Sequence, residues 1–186
     1  MNRHATSDVA DGPTRMLLAA DGSTTLLLEA LLDRPLTVSV ARQRPLPTHR
    51  APERAVRALN ITPGRTVIER SSALVTDDGE VMSRNTVVFA VPPRGWSADA
   101  DDAVPLGQRL RAARTLQHRT LLSSGRANWP DAGQESPCAY KEYLIRCEDG
   151  RLLYVHERFN PRHISPPLHS AVAAPVPAAE PVGASA

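Results

Sequence analysis

The chain has 186 residues, 41% hydrophobic and 4% aromatic, with a formal net charge of +2. That length suits one domain with a real core, and the balanced charge gives no bulk attraction to nucleic acid or membrane. Cys138 and Cys147 are too few for a secreted disulfide framework, Met1 to Thr14 has no apolar signal-peptide core, and no apolar run could span a bilayer, so a cytoplasmic protein is expected.

Residues 1–12 read as a disordered N-terminus and 13–164 as the folded domain. Residues 165–186, ending AAPVPAAEPVGASA, read as a Pro/Ala-rich flexible tail that cannot bury a core. The first helix is expected over Thr14 to Ala20 and is broken by Asp21-Gly22. Ser23 or Thr24 can cap a second, Leu-rich helix over Thr25 to Leu32, and Pro35 ends it. Leu36 to Val40 alternates as a strand, and Pro52 opens a short helix to Leu59. A strand over Arg65 to Thr76 meets Asp77-Asp78-Gly79, a hairpin turn, and returns over Glu80 to Ala90. Pro105 opens a helix from Leu106 to about Leu116, and an extended segment runs from His118 to Ser124. Tyr140 to Cys147, the turn Glu148-Asp149-Gly150 and Arg151 to Asn160 form a closing hairpin. The pattern predicts an α+β domain: a single antiparallel sheet of about six strands, with helices covering one face.

Two residues violate the apolar pattern. Alternate strand side chains share a face. Leu153, Val155, Glu157 and Phe159 therefore point one way, with a carboxylate among apolar neighbours. Arg70 likewise shares a face with Ile68 and Leu74. A buried carboxylate must be paired, protonated or awaiting a ligand. The two residues form either a site for a small anion or a structural ion pair.

Other chemistries are not expected. His156-Glu157-Arg158-Phe159-Asn160 lacks the second histidine of a zinc-protease motif, and the remaining histidines are scattered, so no metal and no cofactor are expected. Arg109, Arg111, Arg114 and Arg119 make one region basic without interleaved aromatics, which reads as a solvated helix face rather than a nucleic-acid surface. Cys147 beside Glu148 and Asp149 is a poor thiolate nucleophile.

Four stretches together resemble the chorismate lyase family, in particular its small actinobacterial, 4-hydroxybenzoate-forming branch. They are LLAADGSTTLLLEALLDRPLTVSVARQR, GRTVIERSSALVTDDGEVMSRNTVV, VPLGQRL and YLIRCEDGRLLYVHERF. Their order and spacing carry the resemblance. It implies a cofactor-independent carbon–oxygen lyase that eliminates pyruvate from chorismate, in aromatic biosynthesis or secondary metabolism. By the same resemblance Arg70 would hold a substrate carboxylate and Glu157 would be the general acid. Leu106 and Gly107 would contact ligand through the backbone, and Thr24 would line the pocket where relatives carry Met or Leu. Asn85 falls at a position occupied by charged residues in relatives.

Two alternatives remain open from the sequence. One is a lyase acting on 4-amino-4-deoxychorismate. The other is a non-catalytic, effector-sensing module of the same fold, binding an aromatic acid or a sugar phosphate. Only about a dozen residues precede the fold, so no added DNA-binding domain is expected, and on this second alternative the module would be a stand-alone sensor. The expected partner is a small molecule, with no nucleic acid and no membrane, and the oligomeric state is left open.

Overall fold

The computed structural model describes residues 12–94, 96, 104–130 and 136–167; the expectations for the first eleven residues and for 168–186 lie outside these. Two short helices come first, α1 (Gly12–Ala19) and α2 (Thr24–Leu32). Ser23 is the N-cap of α2, but its side chain makes no capping bond. Strand β1 (Thr37–Pro47) leads to a single 3₁₀ turn and to helix α3 (Glu53–Ala58). The hairpin β2 (Thr66–Val75) and β3 (Val81–Phe89) follows, then α4 (Leu106–Ala112) and the strands β4 (Gln117–Trp129), β5 (Ser136–Cys147) and β6 (Leu152–Phe159). Gly79 and Gly150 take φ of 86° and 79° at the two hairpin turns, a conformation open to glycine at no steric cost.

The six strands form one antiparallel sheet in the order β1-β2-β3-β6-β5-β4. The α+β architecture matches the sequence expectation. β1 runs beyond the expected Val40, through Pro45 and Pro47, because it is an edge strand whose outer side needs no donors. The pairing passes from Val40–Ser72 to Arg42–Ser71, so Ala41 is an extra residue in a bulge. The bulge resets the alternation and puts Gln43 opposite Arg70.

One face of the sheet is covered by α1, α2 and α4. Leu17, Leu18 and Leu28 pack with Leu74, Met82 and Phe159. Leu110 of α4 packs with Val87, Phe89, Ile145, Leu153 and Val155. Leu28 is fully buried, which contributes about 2 kcal/mol. The short helix α3 lies against the opposite face, where Ala55, Ala58 and Leu59 meet Val67, Val88, Leu144 and Tyr154. β3 and β6 are the central strands, so their alternate side chains reach both layers.

Candidate functional site

Between the helix-covered face and the first turns of α2 and α4 lies a cavity of about 540 Å³, its open mouth included. The six residues singled out from the sequence all line it: Thr24, Arg70, Asn85, Leu106, Gly107 and Glu157. Val38, Leu74, Val87, Ile145 and Val155 supply apolar wall. This mixture of apolar surface and a few polar groups is the usual makeup of a small-molecule site.

Glu157 is 5% exposed and stands on β6 between Asn85 of β3 and Lys141 of β5. Thr24 Oγ1 donates a hydrogen bond to Glu157 Oε2 at 2.7 Å. Thr24 therefore touches the carboxylate directly while Ser23 holds the cap position of the helix. The Tyr143 hydroxyl lies within bonding reach of both Thr24 and Glu157, and burial first, then the Glu157 charge, pushes its pKa far up. It remains a protonated donor at any ordinary pH.

Arg70 is 5% exposed on β2. Its Nη1 donates to Gln43 Oε1 at 3.1 Å, and its Cζ lies 5.0 Å from the Trp96 ring centroid. Trp96 in turn meets Phe89 edge-on, with centroids 4.7 Å apart. A guanidinium held by a planar partner and an amide is positioned in advance. Arg70 and Glu157 stand two strands apart, about 10 Å between backbones, with β3 between them. Each has its own partners, so they face one cavity without forming the structural ion pair that the sequence left open.

Three residues at or beside the cavity escaped the sequence reading. Tyr143 is one. Lys141 is the second: it is 1% exposed, directly opposite Glu157, and its Nζ donates to the Leu17 carbonyl at 3.2 Å and the Ala20 carbonyl at 3.5 Å. It thus ties the C-terminal end of α1 to the sheet, where a cation suits the free carbonyls and the helix dipole. Burial, the largest influence, lowers its pKa, while Glu157 pulls it up. Arg119 is the third and a correction. It stands on β4, not on a solvated helix, donates to the Gly22 carbonyl and lines the cavity, with Cζ 5.7 Å from the Tyr143 ring. Strand phase would have revealed it, since Arg119 pairs with inward-facing Ile145.

Gly107 sits where a side chain would have little room. A Cβ there would lie 3.3 Å from Ser23 Oγ, slightly tighter than ordinary contact, and 3.4 Å from Arg119 Nη2, at its lower edge. Among the described residues no group of three or more His, Cys, Asp or Glu could hold a metal ion, and no helix is long and apolar enough to cross a membrane. Cys138 and Cys147 are buried and free, and burial raises both thiol pKa values.

No protein-family model matches the chain, and no curated protein matches it. Solved structures do. PhnF from Mycobacterium smegmatis superposes with a TM-score of 0.59 at 15% identity, over 79% of this chain and 67% of PhnF. The effector domain of PhnF gives a TM-score of 0.57 at 16% identity, over 76% of this chain and 90% of that domain. YydK from Bacillus subtilis, described as a possible transcriptional regulator, gives 0.54 at 13% identity; the match covers 76% of this chain and 64% of YydK. The likeness is one of fold, and it fits the chorismate lyase-like fold expected from the sequence. The assignment to lyases and aromatic biosynthesis, with chorismate, 4-hydroxybenzoate and pyruvate as its terms, is corrected by the same finding: these neighbours are PhnF, its effector domain and a possible transcriptional regulator, not chorismate-processing enzymes. The chain has the fold of a regulator effector domain.

Proposed function

We propose that the chain is a ligand-binding module that senses a small anionic molecule in the helix-covered cavity without turning it over. The observation that carries this reading is the charge of the lining. Arg70 and Arg119 oppose one carboxylate, Glu157, which is already engaged by Thr24. A cavity with that balance attracts a carboxylate or phosphate. Arg70 binds the anionic group through its planar fork. Glu157 and Asn85 read hydrogen-bonding groups at the other end, and Leu106 and Gly107 close over the ligand. The regulator-domain fold supports sensing over catalysis. An aromatic acid or a sugar phosphate fits this arrangement.

The test is a melting experiment on the purified chain with 4-hydroxybenzoate and, separately, glucose 6-phosphate, alongside a pyruvate assay with chorismate. A saturable rise in melting temperature with either probe, lost in Arg70→Met, and no pyruvate are the expected results. Stoichiometric pyruvate that disappears in Glu157→Gln would overturn the sensing role. A melting temperature indifferent to both probes would also count against it.

A further inference from the structure

The opposite face of the sheet holds a second cavity, about 510 Å³ with its open mouth included. Arg84 of β3 and Arg158 of β6 line it and stand directly opposite each other in the strand register. Like charges in that relation repel. Ser71, Thr86 and His156 form the adjoining row, through the pairs Ser71–Thr86 and Thr86–His156. The described lining contains no carboxylate. The acid next in that row, Glu142, is already paired with Arg54 of α3 at 2.8 Å. Arg158 Nε is buried and has no hydrogen-bond partner. Arg84 has other engagements, so Arg158 carries the argument.

We propose that this second cavity is a binding site for a compact oxyanion, a phosphate or a carboxylate, held by the guanidinium groups of Arg84 and Arg158. The anion would satisfy the orphaned Nε–H of Arg158. A planar guanidinium presents parallel N–H donors to two oxygens of such an ion. The Ser71 and Thr86 hydroxyls can donate to the remaining oxygens. His156 is held uncharged by burial and by the nearby Arg158 and Arg54, so the positive field of the lining comes from the arginines. The two cavities lie on opposite faces of the sheet and share Ser72 and Asn85 in their linings, while Arg158 belongs to the second and Arg70 to the first.

The experiment uses the full chain labelled with ¹⁵N-arginine, titrated with inorganic phosphate and, in a second arm, with acetate, both at ionic strength matched with sodium chloride. Phosphate should move the Arg158 Nε–Hε resonance saturably. It should also raise the melting temperature by about 3 °C or more at saturation. The rise should be lost in Arg158→Gln and retained in Arg70→Met, which separates this site from the first cavity. Saturation by acetate instead would assign the site to carboxylates. The proposal is overturned if neither ion moves the Arg158 resonance saturably, a readout that needs only the unaltered chain. It also fails if the melting response is the same in Arg158→Gln, the mark of a general salt effect.

Discussion

Acid should destabilise this protein through one histidine. His156 lies on β6 facing the α3 side, with Arg158 two residues along the strand, Thr86 and Glu142 on the flanking strands, and Arg54 reaching Glu142 from α3. The Tyr140 ring lies 5.6 Å away. Burial, and then the charges of Arg158 and Arg54, lower the His156 pKa from an ordinary 6.5 to about 4. In the unfolded chain the imidazole takes its proton near the ordinary value. Between the two values the unfolded state binds more protons, so stability falls as pH falls. The contribution is whole above 6.5 and gone below about 4. At 1.36 kcal/mol for each unit of pKa it amounts to about 3 kcal/mol, or about 10 °C in melting temperature for a chain of this size. Urea unfolding of the wild type and His156→Gln at pH 7 and pH 4.5 reads it directly. Carboxylates titrate in both proteins and cancel in the difference. The wild type should lose about 2 to 3 kcal/mol more than the variant over that interval. Parallel losses, or a His156 ring titrating near 6.5 by NMR, would refute the reasoning.

Three further outcomes follow from the first cavity. Thr24→Val removes the hydroxyl that donates to Glu157 and leaves a buried carboxylate short of a partner; denaturant unfolding should show a loss of about 1 to 3 kcal/mol. Gly107→Val would crowd Ser23 and Arg119 at the mouth of the cavity. Probe affinity, by calorimetry, should fall about tenfold or more. Lys141→Met removes a lysine whose pKa burial has lowered. Because the unfolded chain keeps that proton up to about 10.5, wild-type stability relative to the variant should rise as pH climbs toward that value, and a flat difference from pH 7 up to about 10.5 would contradict it.

Much of the fold was legible because strand alternation and Asp-Gly turns are local. Both hairpins, and the inward orientation of Glu157 and Arg70, follow from a period of two read over a few residues. The join of the hairpins through β3 and β6 is a long-range pairing that leaves no local mark. β1 was cut short at Val40 because prolines normally end strands, and its edge position was not visible. Lys141 was missed because Tyr140-Lys141-Glu142-Tyr143 offers both phases, and a lysine is ordinarily assigned to solvent. The site residues came together because they sit at fixed strand positions of the fold. Activity was not legible in the same way: a pattern of order and spacing specifies the scaffold, and a scaffold hosts more than one function.

Strand β6 is a party wall. Val155 and Glu157 face the helix-covered cavity, while His156 and Arg158, their immediate neighbours in sequence, face the other. An extra residue within Leu153–Phe159 would exchange the two sets at every position beyond it, delivering a guanidinium to the first cavity and a carboxylate to the second. β1, at the edge, already accommodates such a residue at Ala41. The sheet absorbs such a residue at its edge and again at Met82, where β3 leaves its turn, whereas in the middle of β6 the same change would invert the chemistry of both faces.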